Sequence, residues 1–442
     1  MSEVLSEAQS TAVSEADAYI EKNVRFNFSI NIAEGGMFGL GLGFASFVTV
    51  IPLFMASLTD SSILIGLVAA MRAIGWQLPQ LLTSNRVARI RRYKPMSLLM
   101  TLNERLPFFA LALVALALPT IGKDATLILT FILIVWQTMG GGLTGTAWQS
   151  LIAKIIPPNL RGRFYGAQSS FSNLLSAVGA IIAGLILQSG QTPSNFAICF
   201  LLAAIAMMIG FGFLYVTREP EGTPARATSH KPRELWRALI AIMRRDANFR
   251  MFISMRMFSQ IAAVGIAFYT IYAVRRFHMD PITGGIMTSV LLIGQLIASP
   301  LFGWLGDRYS HRLMFALGVL TAGAGAAIAV FAPSLSWFYV VFALAGIANA
   351  GLWPTIYALT LEFGSEAERP YYIGLANTLV APATLFAPIL GGALADAVSY
   401  EATFAVAAIS SVLTTLMLVF VMHEPRKHVR LETLIPATPL VE

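Results

Sequence analysis

The chain alternates apolar runs, each long enough to cross a lipid bilayer, with short turns that hold nearly all of its basic residues. A spanning helix needs about 20 predominantly apolar residues. Twelve segments meet that need, near residues 27–55, 61–83, 95–119, 125–152, 164–188, 194–216, 251–273, 282–304, 313–332, 337–362, 371–394 and 402–422. Only 12% of the 442 residues are charged and 56% are hydrophobic, where soluble domains carry about 25% charge. This balance excludes a water-soluble enzyme, a disordered regulator and a fibrous protein. Because lipid offers no partner to a backbone amide, the expected class is an all-α integral membrane fold.

Charge placement tests the count. If both termini lie inside, 24 of the 30 Lys and Arg fall in inner loops and tails. Lys123, Arg275 and Arg276 lie outside, and Arg72, Arg105 and Arg256 lie within spans. A miscounted span would scramble this alternation, so the net charge of +7 is a topology signal and nucleic acid is not an expected partner. The first 22 residues are polar and acidic, without the basic start and apolar run of a secretory signal. With one cysteine, Cys199, and only His423 and His428 at a zinc-like spacing, neither a disulfide nor a metal centre is expected, and no cofactor. No phosphate-cradling Gly-Lys-Ser/Thr loop is present, which removes ATP as a built-in energy source.

The polar, basic stretch 218–250 divides the spans into two sets of six. The expected organisation is a cytoplasmic tail (1–26), a six-helix bundle (27–217), a cytoplasmic linker (218–250), a second bundle (251–422) and a cytoplasmic tail (423–442). The halves share a faint repeat: aligning Gly166 with Gly374 sets RFYGAQSS beside YYIGLANT and Gly184 on Gly392. Duplicated bundles of this kind rock about a central site.

After the eighth span comes Gly303-Trp304-Leu305-Gly306-Asp307-Arg308-Tyr309-Ser310-His311-Arg312. Together with twelve spans in two halves, this resembles the signature loop of the major facilitator superfamily, roughly Gly-x-Leu-x-Asp-Arg-x-Gly-Arg-Arg. Gly303, Leu305, Asp307, Arg308 and Arg312 match; Ser310 replaces the usual glycine and His311 the usual arginine. The resemblance covers about residues 27–422. It implies two pseudo-symmetric six-helix bundles and a loop that latches the cytoplasmic side. Asp307 is expected to cap the fifth span, entered through Arg161-Gly162-Arg163, with Glu362 as the partner of Arg308 or Arg312. The equivalent loop after the second span places Asn85 where the aspartate belongs. Glycine-rich stretches at 179–184 and 387–392 resemble those of proton-driven exporters, although close helix packing explains them as well.

A charge within a span costs at least about 2.5–3.5 kcal/mol, so each needs a reason. Glu34, Arg72, Glu104 and Arg105 all fall in the inner half to centre of one bundle. Glu34 with Arg72 is the expected proton-coupling pair and Glu104 the second choice; a permanently ionised clasp is the alternative for both. Glu104 and Arg105 diverge by about 100° on a helix, so they face different gaps. Arg256 is expected near an inner helix end, as a snorkelling or anion-contacting group.

In the superfamily, spans 1, 4, 7 and 10 line the central cavity. On that resemblance the substrate candidates are Asn31, Gln137, Trp148, Gln149, Gln260, Tyr269, Asn349, Trp353 and Tyr357, polar groups in an apolar hollow that suits an amphipathic solute. The expected function is secondary transport of a small organic solute by a monomer in the cell membrane, coupled to protons, with export favoured over uptake. The alternatives are an uncoupled facilitator, a lipid or lysolipid translocator and a non-transporting receptor on the same fold.

Overall fold

A computed structural model describes residues 2–47, 49–59, 64, 68, 71, 72, 75–189, 193–221, 232–279, 281–366 and 368–425. Among the described residues every regular element is helical. In the first half these are α1 (Ser2–Phe44), α2 (Val50–Leu58), α3 (Gln80–Val87), α4 (Lys94–Ile155), α5 (Arg161–Ser189) and α6 (Ser194–Val216). A short helix, α7 (Pro232–Arg245), lies in the expected linker. The second half holds α8 (Ala247–Ala262), α9 (Val264–Phe277), α10 (Pro281–Arg308), α11 (His311–Phe331), α12 (Trp337–Leu352), α13 (Pro354–Thr360), α14 (Arg369–Thr378), α15 (Ala381–Ala397) and α16 (Tyr400–Phe420).

Nine stretches are long and apolar enough to cross a membrane among the described residues. One of them, α4, is two crossings: Gly122 (φ 79°) turns the chain back on itself in a conformation that favours glycine. The arms then lie side by side, with Trp136 Nε1 donating to Asn103 Oδ1 at 3.2 Å. α1 falls short of the apolar criterion by composition, since Asn27, Asn31, Glu34 and five glycines interrupt it. Much of the expected second span, 61–83, lies outside the described residues.

Several expected spans are broken, for local reasons. The first ends at Phe44, and the chain turns at 45–49, where Ser46 Oγ accepts from the Thr49 amide, before α2 begins. The tenth breaks at Pro354, which has no N–H to offer the preceding turn. The seventh bends at Ala263 and the eleventh between Thr378 and Ala381, with Pro382 in the first turn of α15. α8 begins within the expected linker stretch, where Asp246 caps it by accepting from the Phe249 amide at 2.8 Å.

Small residues set the helix separations. A Cβ at Gly39 would sit 2.2 Å from the Ser172 carbonyl, and one at Gly43 equally close to that of Ser176, so α1 and α5 touch backbone to backbone. Gly179 likewise lies against Leu40. The outer surface exposes Leu113, Ile181, Leu185, Ile297 and Phe420, an apolar belt for which lipid is the natural solvent. The halves meet along two seams, α5 against α10 and α3 against α14. The internal repeat is visible there: Gly166 lies on Ser299 of α10, and Gly374 on Leu81 of α3.

Candidate functional site: a charged aromatic cavity between the halves

Between the halves lies a cavity of about 260 Å³. α1 contributes Glu34 and Phe38, α4 contributes Glu104, Arg105 and Trp148, α5 contributes Tyr165 and Gln168, and Trp76 precedes α3. Trp353 and Tyr357 reach in from the second half at the break between α12 and α13. The Pro354 break therefore aims two aromatic side chains at the first half. Rings of Trp148, Tyr165 and Tyr357 form a chain across the seam, with centroids 6.0 and 5.7 Å apart.

The charges sort differently from the sequence expectation. Glu34 pairs with Arg105, Nη2 to Oε1 at 2.7 Å, and not with Arg72, whose guanidinium lies 4.8 Å from the Phe47 ring centroid. Arg105 is tied further: Nε donates to Thr101 Oγ1 at 3.1 Å and Nη1 to the Met207 carbonyl at 2.6 Å. Extra hydrogen bonds of this kind offset part of the cost of burying an ion pair. Glu104 points the other way, its Oε1 towards Gly141 on the returning arm of α4. It is 4% exposed and accepts no hydrogen bond among the described residues.

Of the nine substrate candidates, Trp148, Trp353 and Tyr357 line the cavity. Asn31 does not: its amide donates to the Asn27 carbonyl and Thr217, and its own carbonyl accepts from Gln168, so it knits helices together. Tyr269 is buried among Phe338, Phe342 and Phe404. Gln137, Gln149, Gln260 and Asn349 also lie off the wall, Gln149 with its amide buried and unpaired among the described residues. The sequence reading missed Trp76, Phe38, Tyr165 and Gln168. A Trp at an inner-half position of a span was available as a signal; Tyr165 and Gln168 sit on the fifth span, outside the four that were searched.

Below the cavity the seams are closed. Asp307 accepts from the Gly162 amide through Oδ1 and from the Arg163 amide through Oδ2, both at 2.7 Å, capping α5 across the seam as expected. Gly303 and Gly162 touch backbone to backbone; a Cβ on Gly303 would meet the Gly162 carbonyl at 2.1 Å. Arg161 turns back to the Ala153 and Ile156 carbonyls. The expected partner of Glu362 is corrected: His311 Nδ1 holds its Oε1 at 2.6 Å. Arg312 instead donates to the Leu418, Val419 and Met422 carbonyls and lies 3.5 Å from Glu424, while Arg308 stacks on Trp304 and Tyr309. Ser310 is where it is because it caps α11, accepting from the Leu313 amide at 3.1 Å.

On the other seam Tyr371 donates to Asn85 Oδ1 at 3.2 Å, Asn377 to Gln80 Oε1 at 2.6 Å and Thr378 to the Gln77 carbonyl at 3.2 Å. Arg256 is tied into this seam, donating to the Ala376 carbonyl at 2.8 Å and to Asn377 Oδ1. It is a buried interhelical tie rather than a snorkelling group. Among the described residues no cluster of three or more His, Cys, Asp or Glu could hold a metal ion.

Comparison with known proteins agrees with this architecture. The profile of the Major Facilitator Superfamily matches residues 35–280 and 253–441. Among solved structures, the superfamily transporter FucP in its outward conformation superposes with a TM-score of 0.72 at 15% identity, over 89% of this chain and 98% of that one. The proton:xylose symporter XylE gives 0.67 at 17%, over 92% and 97%. Among curated relatives, multidrug efflux pump Tap of Mycobacterium tuberculosis is 23% identical over 265 residues, 58% of this chain and 60% of the pump. Multidrug resistance protein 1 of Bacillus subtilis is 24% identical over 151 residues, 34% of this chain and 39% of that protein. The chain thus spans between about two fifths and three fifths of the length of these curated relatives. The chain belongs to the Major Facilitator Superfamily and is a multi-pass membrane protein, helical throughout its described regular elements.

Proposed function

We propose that this transporter exchanges a compact aromatic organic cation for protons, by alternating access about the cavity between its halves. The observation that carries the reading is Glu104. It is a buried carboxylate on the cavity wall without a hydrogen-bond donor among the described residues, beside an arginine already neutralised by Glu34. Arg72 is not among the residues that line the cavity, and its guanidinium lies 4.8 Å from the Phe47 ring centroid. With Glu34 and Arg105 cancelling, the wall carries one negative charge when Glu104 is ionised. Six aromatic side chains surround the space: Phe38, Trp76, Trp148, Tyr165, Trp353 and Tyr357. A desolvated cation over an aromatic face gains about 2 kcal/mol, and Glu104 supplies its counter-charge. The same carboxylate takes a proton when the cation leaves, which links the two fluxes. The coupling role therefore moves from Glu34 to Glu104, and Glu34–Arg105 becomes the clasp that holds α1 to α4.

The basic loops support an orientation with the gate end and both termini on the cytoplasmic side of the inner membrane. In that orientation the structure is closed inside with the cavity above the gate. The relatives named as efflux pumps support export. The test is uptake of radiolabelled aromatic monocations, their neutral isosteres and matched anions into inverted proteoliposomes with an imposed pH gradient. The monocations are expected to accumulate, and Glu104→Gln to weaken their binding tenfold or more, the loss of a charged contact worth about 1.5–3 kcal/mol. Preference for anions, or full retention of binding by Glu104→Gln, refutes the assignment; indifference to the gradient selects an uncoupled facilitator.

A further inference from the structure

We propose that His311 is a proton-dependent positioning residue of the gate. As an imidazolium it ties Asp307 to Glu362 and holds the Asp307 carboxylate on the α5 N-terminus; losing its proton releases the latch. The inference rests on the alternating-access reading and extends it to the control of one gate.

The geometry leaves the ring little choice. His311 opens α11 with its side chain 1% exposed, Nδ1 2.6 Å from Glu362 Oε1 and Nε2 3.4 Å from Asp307 Oδ1. A Cβ at Gly162 would meet Nε2 at 2.3 Å and one at Gly306 would meet Cδ2 at 2.4 Å, so the ring is wedged against both α5 and α10. A neutral imidazole has one N–H and one lone pair; only the imidazolium donates from both nitrogens. Between two carboxylates, the neutral ring must turn a lone pair towards one of them, and that contact becomes repulsive. Both carboxylates are themselves buried, Asp307 at 2% and Glu362 at 7% side-chain exposure. The ring's positive charge therefore halves the negative charge they would otherwise bury.

The surrounding groups leave this role to His311. On α5, Arg161 acts on Glu362 electrostatically, but its guanidinium is bound to the Ala153 and Ile156 carbonyls, and the side chain of Arg163 is exposed. On α10, Arg308 lies over Trp304 and Tyr309. On α11, Arg312 is engaged by the end of α16 and by Glu424, which also accepts from Ser310. Glu366 and Arg369, beyond Glu362, complete the charges on that side. The α5 N-terminus adds partial positive charge to Asp307 but none to Glu362. The usual signature residue at this position, arginine, keeps its charge at every physiological pH. Histidine converts a permanent tie into one that titrates.

The test reads the gate directly, apart from any flux. Full-length protein carrying Arg91→Cys and Ser365→Cys, exposed positions at the gate ends of the two halves, is spin-labelled in nanodiscs, and the distance distribution is measured from about pH 5.5 to about pH 8.5, the range in which histidine changes charge. The closed population is expected to fall at least fivefold as pH rises. His311→Gln should lower it at acid pH and abolish the response, and His311→Arg should hold it closed throughout. Glu362→Gln, which lets a neutral ring accept at Nδ1 and donate at Nε2, should leave the latch closed to higher pH and flatten the response; it serves if the arginine variant does not fold. A wild-type response that survives His311→Gln, or one abolished by Glu104→Gln instead, overturns the proposal and leaves the transport reading intact. One unchanging distance at every pH in every variant overturns both.

Discussion

The two seams that close the gate are related by the internal repeat, yet they are built from different chemistry. Along α5–α10 a buried carboxylate takes two backbone amides at 2.7 Å, and Gly303 and Gly162 meet with no side chain between them. Along α3–α14 the ties are neutral: Tyr371 to Asn85, Asn377 to Gln80 and Thr378 to a carbonyl. The glycine contact is looser as well, since a Cβ at Gly374 would clear Leu81 by 3.2 Å where one at Gly166 would approach Ser299 to 2.4 Å. Hydrogen bonds to charged groups contribute about 1.5–3 kcal/mol and neutral ones about 0.5–1.5. On the proposed alternating-access reading, the first seam acts as the latch and the second as a surface along which the halves separate once the latch lets go.

Breaking the latch sterically should have the largest effect. In Gly303→Val the new side chain meets the Gly162 carbonyl at 2.1 Å, where only backbone movement relieves it. Overpacking costs of about 1–3 kcal/mol would lower the gate-closed population about 5- to 150-fold, seen as longer spin-label distances across the gate. Asp307→Asn keeps the shape and removes the charge. It should lower the same population about 5- to 30-fold, a loss of about 1–2 kcal/mol. If Asp307→Asn leaves the distances unchanged, the contrast between charged and neutral seams has no energetic content. Asn85→Asp runs the comparison the other way. A carboxylate facing the Tyr371 hydroxyl and Arg89 should raise the closed population by about fivefold, or about 1 kcal/mol, and slow substrate turnover by over-stabilising one state.

The Asp307 cap on α5 was legible in the sequence because its chemistry is local. Asp307 and the Arg161-Gly162-Arg163 entry to α5 are short motifs, and the aspartate cap follows from helix electrostatics. Asn85 standing for an aspartate likewise announced the weaker seam. What the sequence did not place were partners chosen by rotation about helix axes. Glu34 could face Arg72 or Arg105, both in the same layer of one bundle by spacing; the contacts of Arg105 with Thr101, Met207 and Glu34 decide between them. Glu362 was expected to meet Arg308 or Arg312 and meets His311 instead, the residue at which the loop departs from the signature pattern. The cavity wall was the least legible part. Three of nine candidates reach it, since a polar residue on a lining span is as readily spent on helix contacts, as Asn31 is on Asn27 and Thr217.

The smallest effect should come from Tyr371→Phe, and it is the most direct probe of how little the second seam holds. The hydroxyl makes one neutral hydrogen bond at 3.2 Å, to an asparagine that is half-buried and also accepts from Arg89 at 2.9 Å. Its removal leaves Asn85 with a donor, so no acceptor is stranded, and the phenyl ring keeps the buried contacts of the tyrosine. The expected loss is about 0.5–1 kcal/mol, a two- to fivefold fall in the closed population, against the larger fall for Asp307→Asn measured with the same labels. Combined, the two should be additive, because they sit on separate seams without shared partners. A Tyr371→Phe effect equal to that of Asp307→Asn, or a strong coupling between them, would mean that the two seams open as one unit and that the difference in their chemistry does not set the order of release.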